Sequence, residues 1–480
     1  MKAKFLTIAG TASNVGKTLF TAILCEIGRQ AGLNVIPFKA QNMCGETVTH
    51  LTGAEVSAAQ WYQAGDQPPN VHINPILVKP SVQSCCLFSR GSLTCEDFVY
   101  PGPARHRSRV KALVLESALE LSHHYDVILI EGAGALTETN LAPFDLANVW
   151  LAKALSSEIV LIADLERGGA LSAIAGTRSL MSAADAAMVI GFVLNRFVGR
   201  VNLLKPAVDS LEWVTSWPCF GVLPKLSDSF RLPWEDALSK PTNNVQTSPV
   251  IVVNLPFEDS GGELTTLAME AKWTLAYAKV PPMSVPANLK LVIIPNCPPS
   301  SEAFDIIRMW FPFLMAVRRL EIAIMAFGFA FHALSSASEV ATFGRGLSLF
   351  AVKTSLSRRP SLAISCGCPL ARRDMLICGS TVTFCHKIGP GSNVLLHSAN
   401  EVWGVTADNS FGIGLTGSLL NDGFRRLLLA RFNLASSIIH YRSAIRASLA
   451  RATAEVAPYL DSKLLSRLSG GTAPMRRPLS

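Results

Sequence analysis

The sequence predicts an α/β protein: a doubly wound, mostly parallel sheet at the amino end and a separate α/β unit after it. Three observations carry this. Nearly continuous Val/Ile/Leu runs at residues 5–9, 35–38, 127–130, 159–163, 189–194 and 220–223 alternate with amphipathic stretches, as strands covered by helices on both faces do. The first run opens directly into Gly-Thr-Ala-Ser-Asn-Val-Gly-Lys-Thr at 10–18. After a polar, proline-punctuated stretch at 225–248, new apolar runs start at Val250, Leu291 and Ile322.

These runs divide the chain into a unit at 1–225, a linker at 226–248, a second α/β unit at 249–432, and a helical segment with a Gly/Pro/Arg-rich end at 433–480. With 480 residues, 49% apolar and 16% charged, the chain can build large cores and is not a disordered protein. The net charge is +8, but Lys and Arg are scattered without a basic stripe interleaved with aromatics, so no nucleic-acid partner is expected. An anionic small molecule fits the charge. Eleven irregularly spaced cysteines and a strand-like start point to a reduced, cytoplasmic protein rather than a disulfide framework. The longest apolar stretch, 322–334, is too short for a bilayer span of about 20 residues, so no membrane partner is expected.

The segment at 10–18 has the strand–loop–helix order that cradles nucleotide phosphates, because backbone N–H groups at a helix start face the anion. Gly10, Thr11, Ser13, Asn14, Val15 and Gly16 form the loop, Lys17 reaches the β/γ oxygens, and the Thr18 hydroxyl suits the shell of a Mg²⁺ ion. Five residues separate the glycines where the common loop has four. Glu131 closes the run at 127–130 and opens Glu-Gly-Ala-Gly, the strand-end position where open α/β sheets bind ligands. It reads as a Mg²⁺ ligand opposite Thr18. Asp164 and Asn195 occupy equivalent strand ends. An Asn there suits either an adenine edge or a turn, and both readings stand.

Gln41 and Asn42, in Phe-Lys-Ala-Gln-Asn-Met at 38–43, supply neutral amides able to bind carboxylates or amides. Residues 74–80, Asn-Pro-Ile-Leu-Val-Lys-Pro, read as a turn and short strand with Lys79 as a solvated cation. Cys366, Cys368, Cys378, Cys385 and His386 lack the paired spacing of a zinc site and read as incidental thiols.

Taken together, Gly-Thr-x-Ser-x-x-Gly-Lys-Thr (10–18), Phe-Lys-x-Gln-Asn-Met (38–43), Asn-Pro-x-Leu-x-Lys-Pro (74–80), Glu-Gly-Ala-Gly-x-x-x-Glu-x-Asn-Leu (131–141), Asp-x-x-Arg-Gly-Gly (164–169) and Asn-Arg-Phe-x-Gly (195–199) resemble the cobyric acid synthase family. The five-residue loop is shared with dethiobiotin synthetase and cobyrinate a,c-diamide synthase. The resemblance implies a dethiobiotin synthetase-like first domain that uses ATP and Mg²⁺ to amidate carboxylates b, d, e and g of adenosylcobyrinic acid a,c-diamide. Lys17 and Glu131 would then be catalytic, Asn195 would join the loop in binding ATP, and Gln41, Asn42, Glu138 and Asn140 would contact the corrinoid. Asn14 stands where the family has Asp, a neutral isostere expected to alter affinity.

The resemblance also implies a class I glutamine amidotransferase-like second domain, with its chemistry eroded. Against the family pattern Gly-Ile-Cys-Gly-Gly-Tyr-Gln, residues 324–330 place Ala326 where the cysteine belongs; Thr416 stands for the catalytic histidine, and Asn296 for the oxyanion-loop glycine. A further family element is blurred into 374–379. Alanine has no thiolate and threonine is no base near neutral pH, so glutaminase activity is expected to be lost. A displaced pair drawn from Cys366 or Cys368 with His386 or His397 lacks the strand-to-helix turn a nucleophile needs. Ammonia is then expected free or from a separate source. The competing readings are a ParA/MinD-like ATPase with a macromolecular partner, and a non-catalytic remnant of the synthase.

Overall fold

A computed structural model describes residues 3–44, 47–49, 54–65, 70–80, 85–98, 104–226, 244–256, 263–270, 274–336, 339–340, 344–356, 362–368, 373–379, 383–390, 392–397, 401–414, 419, 421–431, 436 and 440–468. The six apolar runs of the first unit form one sheet. Its order is Cys219–Pro224, Val189–Phe197, Glu158–Asp164, Lys4–Gly10, Val127–Glu131, Val35–Phe38, and every pairing is parallel. Lys4–Gly10 is central, with later strands added on one side and earlier ones on the other. That reversal opens a crevice at the carboxyl ends of the strands. Except for Val35–Phe38, each strand runs slightly beyond the apolar stretch that predicts it, so Glu131 and Asp164 lie inside strands as their last residues.

The helix Lys17–Gln30 starts from Gly16, whose φ of 101° turns the chain sharply out of the loop. Its buried face of Phe20, Ile23, Leu24 and Ile27 packs on the central strands. The segment at 38–43 continues from Val35–Phe38 into the strand Gln41–Met43, which pairs in parallel with Ile76–Pro80. Cys85–Ser89 and Ser92–Phe98 complete this small sheet beside the crevice. The turn and strand expected at 74–80 are present, but Lys79 is not a solvated cation. Its ammonium is ion-paired with the buried Glu55 and lies 5.4 Å from the Phe88 ring centroid.

The second unit has its own sheet. Leu275–Ala278, Val250–Val253, Leu291–Ile294, Ala323–Phe327 and Ser410–Ile413 run parallel, and Val402–Ala407, Asn393–His397, Leu362–Cys368 and Arg373–Gly379 extend it antiparallel. Among the described residues no helix is long and apolar enough to cross a membrane. Most of the proposed linker, 227–243, and the tail at 469–480 lie outside the described residues.

The carboxyl-terminal helices return to the first unit. Tyr441, Ile445, Leu449 and Val456 of the helix Tyr441–Val456 share a core with Phe20, Ile23 and Leu24. Leu460 bridges to Gly221, and the Asp461 N–H donates to the Phe220 carbonyl at 2.8 Å. The helices within 441–468 are therefore part of the first unit's outer layer.

Candidate active site

A cavity of about 940 Å³ opens at the carboxyl ends of the first sheet, lined by Lys17, Thr18, Lys39, Gln41, Glu131 and Glu138 among others. The loop at 10–16 forms its floor. Gly10 has no room for a side chain: a Cβ there would lie 2.8 Å from the Lys17 Nζ and 2.9 Å from the Ala12 carbonyl. Asn14 adopts φ 61°, a left-handed conformation that Asn tolerates well. A Cβ on Gly16 would lie 2.3 Å from the Asn195 amide nitrogen. These glycines let the backbone close around Lys17, whose ammonium donates to the carbonyls of Ala12 at 3.0 Å and Gly134 at 2.8 Å.

Lys17 thus bridges the loop after the first strand and the Gly132–Gly134 loop after Glu131. The second loop is fixed from behind. Asn148 Nδ2 donates to the Ala133 carbonyl at 2.7 Å, and Asp145 accepts the backbone N–H groups of Ala147, Asn148 and Trp150.

Glu131 is buried and takes at least four side-chain donors. Thr18 Oγ1 donates to its Oε1 at 2.7 Å and Lys39 Nζ to the same oxygen at 2.9 Å. Gln63 Nε2 donates to Oε2 at 2.8 Å, and Gln60 Nε2 at 3.3 Å. Burying a carboxylate is tolerable only when it is paired and hydrogen-bonded, and this one is both. Gln60, Gln63 and Lys39 were not singled out from the sequence. The i,i+3 glutamines in Ala-Ala-Gln-Trp-Tyr-Gln at 58–63 were the available signal. Thr18 and Glu131 bring hard oxygen donors to one point, and Mg²⁺ accepts a hydroxyl and a carboxylate while keeping water and phosphate as its other ligands. The donor set fits that ion, and the glycine-walled loop fits a phosphate chain.

The remaining predicted residues divide into lining and supporting positions. Ser13, Asn14, Gly16, Gln41 and Glu138 line the cavity. Asn140 is exposed on the same loop as Thr139 and Leu141, which do line it. Thr11 is tied to the sheet by its N–H on the Ile162 carbonyl at 3.0 Å, and the Val15 side chain points into the core. Asn195 sits beneath the loop, donating to the Val15 carbonyl at 2.9 Å. Asn42 also lines the cavity, and its amide donates to Ser57 Oγ and Gln60 Oε1, both at 2.9 Å. Asp164 pairs with Arg196 at 2.7 Å, and Arg196 also donates to the Asn14 carbonyl at 2.8 Å, a second brace for the loop.

In the second unit the expected nucleophile position needs correction. Ala326 lies inside the strand Ala323–Phe327, paired with Ile294 and Gly412 and fully buried. The turn from strand to helix falls two residues later, at Gly328, with φ 49°. A nucleophile elbow places its reactive residue at that strained turn and grips the oxyanion with the following N–H. Gly328 therefore occupies the cysteine position, Phe331 the tyrosine and His332 the glutamine of the family pattern. The following N–H, that of Phe329, donates to Asn296 Oδ1 at 2.9 Å. A Cβ on Gly328 would stand 2.0 Å from that same oxygen.

His332 is buried, and its Nδ1 is 2.8 Å from Thr354 Oγ1; burial lowers its pKa to about 4. Cys366 and Cys368 fall in the strand Leu362–Cys368, paired antiparallel with Arg373–Gly379. The side chains of Cys366, Cys368, Cys378 and His386, and all of Thr416, lie outside the described residues. Burial pushes the Cys385 thiol up to about 12, away from thiolate chemistry. Among the described residues no group of three metal-ligating side chains comes together.

The family model described as the CobQ/CobB/MinD/ParA nucleotide binding domain matches residues 6–238. The cobyric acid synthase of Rhizobium etli (strain CFN 42) is 30% identical over 492 residues, spanning 98% of this chain and 100% of its own. That of Allorhizobium ampelinum is 29% identical over 494 residues, spanning 97% and 100%. A solved glutamine amidotransferase is similar over 38% of this chain and 99% of its own, at 14% identity and a TM-score of 0.32. With a phosphate loop, a strand-end glutamate and end-to-end similarity of this extent, the chain belongs to the cobyric acid synthase family.

Proposed function

We propose that this protein is an ATP-dependent amide ligase that converts carboxylates b, d, e and g of adenosylcobyrinic acid a,c-diamide to amides, using ammonia it does not make itself. The observation that carries the ligase reading is the meeting of Lys17, Thr18 and Glu131 at one cavity wall, with Thr18 Oγ1 2.7 Å from Glu131 Oε1. When bound, ATP with Mg²⁺ supplies the phosphoryl group that turns a substrate carboxylate into an acyl phosphate, from which ammonia displaces phosphate.

Within that scheme the loop at 10–16 orients the phosphate chain with its N–H groups. Lys17 stabilises the charge that develops on the transferred group. Thr18 and Glu131 hold the Mg²⁺ ion, and Lys39 neutralises the buried glutamate. The cavity wall at Gln41 and Glu138 faces the substrate, and Asn140 joins it from the adjoining loop. Asn195 positions the loop that meets the nucleotide.

The loss of glutaminase activity is supported by the elbow. Gly328 offers no thiol, and Asn296 already accepts the Phe329 N–H that would hold an oxyanion. The ammonia is therefore free or delivered by a separate protein.

Mass spectrometry tests both parts. The a,c-diamide incubated with ATP, Mg²⁺ and ammonium should gain up to four amide mass shifts, whereas glutamine in place of ammonium should give none. Absence of any shift with ammonium refutes the ligase; efficient shifts with glutamine refute the lost glutaminase.

A further inference from the structure

The helix Ala58–Gln63 supplies two side-chain donors to Glu131 yet is only six residues long. A helix that short has no independent stability, so its position must be imposed from outside. Part of the restraint is local: Arg29 Nη1 donates to the Gln63 carbonyl at 3.0 Å. The helix also packs in the core against the helix Lys17–Gln30, and a further restraint comes from the far end of the chain. The Tyr62 ring meets Tyr441 edge-on, with centroids 5.6 Å apart and planes at 84°. The Arg442 guanidinium lies 4.7 Å from the Trp61 ring centroid and donates to the Gly65 carbonyl just past the helix.

Tyr441 and Arg442 are themselves anchored in the second unit. Asp422, in the helix Asp422–Arg431, accepts the Tyr441 N–H at 2.9 Å and the fully buried Arg425 at 2.8 Å. The Arg425 guanidinium lies 5.9 Å from the Tyr441 ring centroid. An unbroken set of contacts thus joins Asp422, Tyr441, the helix at 58–63, Gln63 and Glu131.

We propose that Tyr441 and Arg442 are positioning residues for the nucleotide site. They clamp the helix at 58–63 so that Gln60 and Gln63 aim the Glu131 carboxylate at Thr18, and the second unit is the anchor of that clamp. Gln63 Nε2 donates to Glu131 Oε2 at 2.8 Å and to the Thr18 carbonyl at 2.9 Å, so one displaced side chain disturbs both proposed metal-binding residues. Residues that orient metal ligands set metal affinity by roughly 10–100-fold without touching the ion. The proposal rests on Glu131 and Thr18 being the Mg²⁺ ligands.

The test measures ATP binding by calorimetry across a Mg²⁺ titration, with thermal midpoints recorded in parallel. Gln63→Ala, Arg442→Ala and Tyr441→Ala are expected to raise the Mg²⁺ concentration for half-maximal ATP binding about tenfold. Arg442→Lys and Tyr441→Phe should stay near the parent. Should Tyr441→Ala fail to fold, Arg442→Ala, at the half-exposed rim, decides alone. An unchanged Mg²⁺ requirement in Arg442→Ala beside a shifted one in Gln63→Ala overturns the clamp. An unchanged requirement in both overturns the role of the helix. If the parent itself shows no Mg²⁺-dependent ATP binding, the nucleotide reading falls with it.

Discussion

Asn296 Oδ1 accepts the backbone N–H of Phe329 at 2.9 Å, and that N–H belongs to the residue following the strand-to-helix turn of the second unit. An amide side chain thus occupies the position where an amidotransferase would grip a tetrahedral oxyanion. The turn residue, Gly328, also has no space for a side chain beside it.

Reinstating the nucleophile should therefore fail twice over. Gly328→Cys puts a Cβ against Asn296 at a backbone of φ 49°, a combination expected to cost about 2 kcal/mol of stability. Urea denaturation measures that cost. Glutamine hydrolysis should stay undetectable in this variant. Pairing it with Asn296→Gly should recover part of the stability, leaving the backbone strain, and still give no activity because Thr416 supplies no base. A glutaminase rate from Gly328→Cys alone would support the elbow position and contradict the reading that Asn296 fills the oxyanion site.

Lys17→Ala should lower corrinoid-dependent phosphate release by roughly 10²–10³, the scale of removing one donor to developing transition-state charge. Because the lysine also ties Ala12 to Gly134, ATP affinity should fall as well. Phosphate release and ATP calorimetry together separate the two losses, and a fully active Lys17→Ala enzyme refutes the site.

Lys39→Met should destabilise the fold by about 3 kcal/mol, since removing one partner of a buried ion pair strands the other charge. The Lys39–Glu131 pair is 7% and 1% exposed at its two side chains, so solvent gives little relief. Equilibrium unfolding near neutral pH provides the measurement, and the double variant Lys39→Met with Glu131→Gln should recover much of the loss.

Gly16→Ala should distort the phosphate loop, because its φ of 101° and the Asn195 amide 2.3 Å from the new Cβ both oppose it. ATP binding is expected to weaken at least tenfold. Adding Asn195→Ala should return part of the affinity by removing the steric component, leaving the backbone strain; calorimetry distinguishes the single from the double variant.

His332 makes acid stability a test of burial. Its pKa falls from 6.5 to about 4 in the folded state. Between those values the unfolded chain binds the proton and the folded chain does not, so stability drops as pH falls from 6.5 toward 4. At 1.36 kcal/mol for each pKa unit the contribution is at most about 3 kcal/mol. His332→Gln should flatten the acid limb of urea midpoints measured from pH 7 to pH 4, and an unaltered limb rules the histidine out.

The phosphate loop and Glu131 were legible because their chemistry is local: a glycine-bounded turn after an apolar run, and an acid at a strand end. Residues that act across the chain left weaker marks. Gln63 reaches Glu131 over 68 positions, and nothing in a six-residue helix announces that partner. Lys39 stood among neutral amides, so its ion pair emerged only once two parallel strands placed it beside Glu131. Asn42 lines the cavity as a ligand-facing amide would, but its donation to Ser57 and Gln60 was not legible in the sequence. The elbow was displaced by two residues because Phe329 and Ala330 replace the family's glycines. The location of the turn then depended on where the Ala323–Phe327 strand stopped pairing, a property of sheet register.

The return of helix Tyr441–Val456 to the core built on Phe20 and Ile23 makes the second unit an insertion, flanked on both sides by sequence that folds with the first. A truncation placed after residue 226 would strip an apolar face and expose Leu24 and Ile445's neighbours to aggregation. A single-domain version should instead be spliced, joining residue 226 to residue 440 with a flexible tether, which keeps the Phe20–Ile445 core but removes the Asp422 anchor of Tyr441.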